Sequence, residues 1–174
     1  MRILLLLNNH TMSNETMKVI DQHESTTEAL LQKARIIRMD TQREVAGALA
    51  GNDWVTSKIE KFSDQQQSSG SVAISGEAQQ QTQEKIEQDW KEYQWMFHTH
   101  IESLGHAHEP SAQDKETFKK HEVNEIAYLR EDGSIDIKAY NKEGQEIEQN
   151  VWGKTAKVIT IAKDDTINCL QQVA

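Results

Sequence analysis

The chain has 174 residues, an apolar fraction of 36% and a formal net charge of −9. This length predicts one domain, and the low apolar fraction predicts that the core is small or that part of the chain is solvated. No stretch gathers the basic residues that a duplex nucleic acid partner requires. The single cysteine, Cys169, excludes an internal disulfide and a cysteine-built zinc site, which leaves the seven histidines for metal binding.

The strongest apolar run lies near the N-terminus, at residues 3–7. Its five residues are too few for a membrane span, which needs about twenty, and no small-residue cleavage site follows it. We therefore expect a cytoplasmic protein with no membrane partner. Residues 1–24 are interpreted as an N-terminal arm, in which the apolar run forms a strand or an ordered segment.

The first predicted elements are a helix and a buried strand. Ser25 and Glu28 form a capping-box pattern that predicts the start of the helix, which should end near Met39. Small and branched residues at 44–51 predict the strand. Within it, Gly47 would let another backbone approach closely.

A polar insertion and a second helix come next. Glutamine, serine and glycine dominate residues 64–83, with residues 72–74 as the one candidate edge strand. Apolar residues at helical spacing predict an amphipathic helix over residues 77–93. The dense apolar run at 93–97 predicts a central strand that leads directly into a pair of histidines.

The second half of the chain predicts a short helix and more strands. Ser111 and Asp114 form another capping-box pattern, which predicts a helix to about residue 122. The predicted strands are residues 124–129, 135–140 and 157–162, and the first two flank a turn at residues 130–134. The class is therefore α/β or mixed α+β with an antiparallel hairpin. The main domain is placed at residues 25–145, and residues 146–174 are a C-terminal extension that packs on it.

The histidines at the end of the predicted strand are candidate metal ligands. Residues i and i+2 of a strand point to the same side, so His98 and His100 can present two imidazoles to one point. A catalytic zinc needs a third protein ligand and an open position for water. Asp114, in the first turn of the next helix, is the candidate for that third ligand.

Three short motifs occur in order along the chain: a glutamate that heads a glycine-containing strand, a His-x-His pair and a Ser-x-x-Asp pair. They are Glu44-Val-Ala-Gly-Ala-Leu-Ala-Gly51, His98-Thr-His100 and Ser111-Ala-Gln-Asp114. Together they resemble the JAMM motif of the JAB/MPN metallopeptidases, over about residues 26–140. The resemblance implies a curved mixed sheet flanked by helices, with an antiparallel hairpin on its C-terminal side.

The resemblance also implies roles for individual residues. His98, His100 and Asp114 would bind one Zn²⁺ per chain, and Glu44 would be the general base and then the acid for the leaving amine. Ser111 would donate a hydrogen bond to the attacking water or the developing oxyanion. The implied function is a zinc-dependent metallopeptidase or isopeptidase, similar to deubiquitinases. Its substrate would be an extended protein or peptide tail, such as that of a ubiquitin-like protein.

The chain departs from the family pattern after the His-x-His pair. Ile101 stands where the family usually has proline, and the thirteen residues between His100 and Asp114 make a longer loop than usual. This loop contains a second His-x-His, formed by His106 and His108, which is an alternative ligand pair or a group near the mouth of the site.

Other functions and a purely structural interpretation also fit these residues. Ser111 and Asp114 would cap a helix whether or not they take part in chemistry. A non-catalytic MPN-like scaffold is the first alternative function, with the polar insertion as its interaction arm. A zinc hydrolase that acts on a small non-peptide substrate is the second.

Overall fold

The structure is a computed structural model that describes residues 14–50, 54–62, 65–67, 72–89 and 93–170. In these ranges the chain forms three α-helices, twelve strands and one 3₁₀ turn at Glu102–Leu104. The helices are α1 (Asn14–Met39), α2 (Gly76–Gln88) and α3 (Ala112–Phe118). The first six strands are β1 (Ala46–Ala50), β2 (Lys58–Lys61), β3 (Gln65–Gln67), β4 (Val72–Ile74), β5 (Tyr93–Ile101) and β6 (Asn124–Leu129). The other six are β7 (Ile135–Tyr140), β8 (Glu146–Ile147), β9 (Gln149–Val151), β10 (Lys154–Ala156), β11 (Val158–Ile161) and β12 (Ile167–Leu170).

One mixed sheet forms the centre of the fold. Its strand order is β12-β11-β7-β6-β5-β1-β2, and β8 pairs with β7 outside this path. Strands β5 and β6 are parallel, whereas the other neighbouring pairs are antiparallel. The parallel pair is joined through α3, which is the crossover that parallel strands require. The mixed α+β class predicted from the sequence is therefore confirmed.

The helices cover both faces of this sheet. Helix α1 lies on one face, where Leu30, Ala34 and Ile37 belong to the largest apolar cluster together with Phe97 and Ile137. Helix α2 belongs to a smaller apolar cluster that includes alternate residues of β1, and α3 leads into another that includes alternate residues of β6. His98 and His100 alternate with Phe97, so their side chains lie on the α3 face of the sheet.

Helix α1 begins earlier than the sequence predicted. It starts at Asn14 and runs through Ser25, so the predicted start at the capping box was wrong, while the predicted end near Met39 is confirmed. Residues 15–24 contain neither glycine nor proline, and most of them are compatible with a helix, so nothing in this segment stops it from continuing. The predicted strand at residues 3–7 lies outside the described residues.

The strand at β1 and the close approach at Gly47 are confirmed. A Cβ atom on Gly47 would lie 2.5 Å from Ile59 Cγ2 and 2.8 Å from the carbonyl oxygen of Glu60, because β2 packs tightly there. Glu44 lies two residues before β1, whereas the sequence predicted that it lies within the strand.

The polar insertion contains more regular structure than expected. Strand β4 is the predicted edge strand, and it pairs with β3 in a separate two-stranded sheet. Helix α2 ends at Gln88, so the prediction of a helix to Tyr93 was wrong. Tyr93 instead begins β5 and pairs with Ala50, because backbone hydrogen bonds to β1 replace the last helical turn.

The remaining predicted elements agree closely with the structure. The hairpin is confirmed as β6 and β7, whose turn contains Gly133 in the left-handed region at φ 85°. Strand β11 confirms the last predicted strand and pairs with β7. Helix α3 ends at Phe118 rather than near residue 122, and the side-chain amide of Asn124 donates to the carbonyl oxygen of Phe118 at that end. Among the described residues, no helix is both long and apolar enough to cross a membrane.

Candidate metal centre

Strand β5 presents the histidine pair at the centre of the sheet. The Nε2 atoms of His98 and His100 lie 3.3 Å apart, as expected for alternate residues of a strand. Thr99, between them, holds the neighbouring chain segment in place, because its Oγ1 accepts the backbone N–H of Val45 at 2.9 Å. The backbone N–H of Thr99 also donates to the carbonyl oxygen of Val45 at 3.0 Å. The glutamate that precedes Val45 is thereby fixed beside the histidines.

Asp114 completes the group from the start of α3. Its Oδ1 lies 3.1 Å from His98 Nε2, and its Oδ2 lies 3.2 Å from His100 Nε2. One ligand atom from each of the three residues falls within 4.8 Å of the others, which is close enough for a metal ion to bind. The three side chains are between 8% and 17% exposed, so the group is shielded from solvent but still accessible from the cleft.

The capping box at the start of α3 is confirmed, and it orients the Asp114 carboxylate. Ser111 Oγ accepts the backbone N–H of Asp114 at 3.1 Å, and the backbone N–H of Ser111 donates to Asp114 Oδ2 at 2.7 Å. The purely structural interpretation of these two residues and the metal-binding interpretation are therefore compatible. The carboxylate that closes the cap is the one that faces the histidines.

The electrostatics of the group favour an ionised carboxylate. Burial alone would raise the pKa of Asp114, but hydrogen bonds from His100 and His98, the charge of His98 and the Ser111 amide lower it far below its usual value. Burial alone would lower the pKa of His100, but the hydrogen bonds to Asp114 and to the Ala107 carbonyl raise it. The geometry therefore holds an ionised carboxylate against the two imidazole rings.

Glu44 lies beside this group although it is distant in sequence. The register of β1 on β5 pairs Ala46 with His98, which places the residues before β1 next to the histidines. Glu44 is buried, and its Oε1 lies 3.6 Å from His106 Nδ1. Burial raises the pKa of Glu44, although the nearby histidine rings oppose the shift. A carboxyl group with a raised pKa is suited to accepting and returning a proton.

All five residues named by the sequence line one cleft of about 280 Å³. Its other walls were not foreseen: Val72 and Ile74 of β4, with Met96 of β5, form an apolar side. The sequence predicted residues 72–74 as an edge strand within a polar insertion and gave it no part in the site. The branched apolar residues at 72 and 74 lie on the same side of the strand, and this i, i+2 spacing was the signal that the strand could cover a surface.

The second His-x-His pair lies near the metal group but outside it. Among the described residues, the group with metal-ligand spacing contains His98, His100 and Asp114 alone. His106 Nδ1 accepts the backbone N–H of Ile101 at 2.9 Å, so that nitrogen is already engaged. The ring of His108 stacks on Tyr128 with centroids 5.0 Å apart.

Comparisons of the chain with protein-family models and with curated proteins found no match.

Proposed function

We propose that this protein is a metallopeptidase or isopeptidase of the JAMM type, which uses zinc to hydrolyse a peptide or isopeptide bond in an extended protein tail. One observation carries the proposal: Glu44, the two histidines of β5 and Asp114 come from separate parts of the chain and meet at one cleft. The order and chemistry of these residues match the JAMM motif that the sequence resembles.

The donor set and its spacing fit zinc. Two nitrogen ligands about 2.0–2.1 Å from a tetrahedral zinc ion would lie about 3.3–3.4 Å apart. The Nε2 atoms of His98 and His100 are separated by 3.3 Å. Two imidazoles and one carboxylate are also the donor types of catalytic zinc sites with an open position. When bound, zinc supplies Lewis acidity, which polarises a carbonyl group and acidifies water.

Glu44 is the proposed proton carrier. Its carboxylate accepts a proton from the attacking water and returns it to the nitrogen of the leaving amine. Glu44 is buried and lines the cleft beside the metal group, and its raised pKa makes it a stronger base than an exposed glutamate, which favours uptake of the proton from the attacking water. General acid–base catalysis of this kind contributes about 10²–10⁴-fold to rate.

Ser111 is the proposed donor to the developing oxyanion. Its Oγ accepts a hydrogen bond from the Asp114 amide through a lone pair, so the hydroxyl hydrogen is not used in the cap. Ser111 is exposed and lines the cleft, so this hydrogen can donate to a carbonyl oxygen of the substrate as negative charge develops there.

The cleft suits an extended, basic tail. Strand β4 lies along it, and an extended peptide can pair with a strand edge while its side chains enter adjacent pockets. The carboxyl groups of Glu44, Glu109 and Asp114 line the cleft, and the whole chain carries a net charge of −9. We therefore propose a protein or peptide substrate, with the tail of a ubiquitin-like protein as one example.

The decisive experiment compares Glu44→Gln with Glu109→Gln, a matched change of another carboxyl group in the same cleft. Zinc content is measured for both variants, and hydrolysis is measured on a panel of peptides, isopeptide-linked fusions and small esters. We expect Glu44→Gln to retain zinc and to lose at least about 100-fold in peptide or isopeptide hydrolysis. Glu109→Gln removes a charge from the cleft but no proton carrier, so it should lose far less activity than Glu44→Gln.

The other outcomes separate the alternatives. Full activity in Glu44→Gln would refute the assigned role of Glu44. Zinc binding without hydrolysis of any substrate in the panel would favour the non-catalytic scaffold. Hydrolysis confined to the small esters would favour a hydrolase that acts on non-peptide substrates. Equal zinc content in the wild type and in a His98→Ala, His100→Ala double variant would exclude this group as the metal site.

A further inference from the structure

The loop between β5 and α3 contains two histidines that the proposed mechanism does not use. We call residues 105–110 the histidine loop; it is part of the segment that is longer than the JAMM pattern. His106 and His108 lie on either side of Ala107, whose backbone faces a metal ligand. These three consecutive residues make separate contacts, and each contact bears on the orientation of His100.

Ala107 determines which nitrogen of His100 carries a hydrogen. Its carbonyl oxygen lies 3.1 Å from His100 Nδ1. A carbonyl oxygen only accepts hydrogen bonds, so Nδ1 must be the donor. In the neutral ring the lone pair is then on Nε2, the atom that lies 3.2 Å from Asp114 and 3.3 Å from His98 Nε2. The loop therefore selects the tautomer of His100 that a metal requires.

Contacts on both sides hold the Ala107 carbonyl in place. On one side, His106 Nδ1 accepts the backbone N–H of Ile101 at 2.9 Å, which ties the loop back to the end of β5. On the other side, the ring of His108 stacks on Tyr128 with an interplanar angle of 23°.

Tyr128 is a firm support for this stack. Its side chain is buried, and its hydroxyl group lies 2.7 Å from that of Tyr140. The ring of His100 also contacts Tyr128, edge to face, with centroids 5.3 Å apart. One buried aromatic ring thus contacts both the metal ligand and the histidine that holds the loop.

The His108 ring is held by stacking rather than by a polar bond. Its Nε2 is 3.9 Å from Asp136 Oδ2, which is beyond hydrogen-bonding distance, and it has no hydrogen-bond partner within the part of the chain that the structure describes. Another flat aromatic ring, without a nitrogen, should therefore stack on Tyr128 at the same position. His108→Phe therefore distinguishes a stacking role from the role of a metal ligand or a proton carrier, because phenylalanine can stack but can neither bind a metal nor transfer a proton.

We propose that His108 is a positioning residue for the metal centre: by stacking on Tyr128 it holds the Ala107 carbonyl against His100 Nδ1 and so fixes the tautomer and orientation of that ligand. The inference deepens the proposed function and rests on the same metal site. Loss of an outer contact of this kind typically weakens metal affinity by about 10–100-fold.

The test compares His108→Ala, His108→Phe and His121→Ala, the last being the same change at a histidine outside the cleft. Zinc affinity is measured by competition with a chromophoric chelator. We expect His108→Ala to lose about 10–100-fold, with His108→Phe and His121→Ala close to the wild type. Wild-type affinity in His108→Ala, or an equal loss in His108→Phe, would overturn the proposal.

A second measurement reads the tautomer without any metal. Long-range ¹H–¹⁵N spectra of the metal-free protein, recorded at alkaline pH where the rings are neutral, report which nitrogen of His100 carries the hydrogen. We expect Nδ1–H in the wild type and in His108→Phe, and a mixture of tautomers in His108→Ala. An unchanged tautomer in His108→Ala would refute the role of His108. If the wild type bound no zinc, the proposed function would fail, whereas this spectrum would still decide whether His108 orients His100.

Discussion

Replacing Lys33 with methionine should destabilise the fold by about 3–5 kcal/mol, because it would remove the cation from a buried ion pair. Lys33 Nζ, on α1, lies 2.9 Å from Glu125 Oε1, on β6, and both side chains are 0% exposed. The same ammonium group donates to the carbonyl oxygen of Trp54 at 2.7 Å. The pair therefore joins α1 to the middle of the sheet through the core.

The magnitude follows from desolvation. Two charges that are buried together attract each other strongly enough to offset much of the free energy lost on leaving water, but a single remaining charge has no such compensation. The expected loss is a large part of the total free energy of unfolding, which is about 5–15 kcal/mol for a typical domain. The double variant Lys33→Met, Glu125→Gln removes both charges, so most of the stability should return. A remaining deficit of about 1 kcal/mol would reflect the lost hydrogen bond to Trp54.

The assay is urea unfolding of the wild type, both single variants and the double variant, which together form a thermodynamic cycle. Lys85→Met is the matched control, because Lys85 pairs with Glu60 at the surface, where the pair is solvated. Its unfolding midpoint should change little. If Lys33→Met lay within about 1 kcal/mol of the wild type, or if the double variant were less stable than both single variants, the reasoning from desolvation would be refuted.

Three further predictions concern packing, the metal group and pH. Gly47→Ala should lower the free energy of unfolding by about 1–3 kcal/mol, measured in urea, because the new Cβ would lie 2.5 Å from Ile59 Cγ2. Gly76→Ala is the control and should cost no stability, because no atom lies within 4 Å of its new Cβ. Equal unfolding midpoints for the two variants would contradict this prediction. Asp114→Asn should weaken zinc binding by more than about 100-fold in a calorimetric titration, since it removes a charged ligand, and an unchanged affinity would exclude Asp114 from the site. Burial, with the nearby Lys120 charge, lowers the pKa of His121 in the folded protein. On acidification the unfolded chain therefore binds a proton at this histidine at a higher pH than the folded chain does, and stability is lost as the pH falls below about 6.5. His121→Gln should therefore flatten the decrease in melting temperature between about pH 7 and pH 5, and identical slopes would show that His121 does not contribute.

Features that depend on neighbouring residues were predicted well. The capping box of Ser111 and Asp114 and the turn at Gly133 involve groups within a few residues of each other, so their pattern is present in the sequence itself. The hairpin strands also agree, because their apolar runs are bounded by that turn.

Element ends that depend on distant partners were predicted less well. Helix α2 stops before Tyr93 because Tyr93 pairs with Ala50, and the register of that pairing is not encoded by the periodicity of either segment. The start of α1 was misplaced because a capping-type serine is tolerated inside a helix when the residues before it are also helical. The buried pair of Lys33 and Glu125 had no local signal, since each residue alone resembles a surface charge.

For the candidate site, the sequence by itself determined the donor types, their order and the presence of two imidazoles on the same side of a strand, because the strand period is a local property. Tertiary structure decided which groups meet. The register of β1 on β5 brings Glu44 to the histidines, and the fold of the histidine loop brings the Ala107 carbonyl to His100. Both contacts depend on backbone hydrogen bonds or packing between segments that are separate in the chain, and only the folded sheet and its loops bring those segments together.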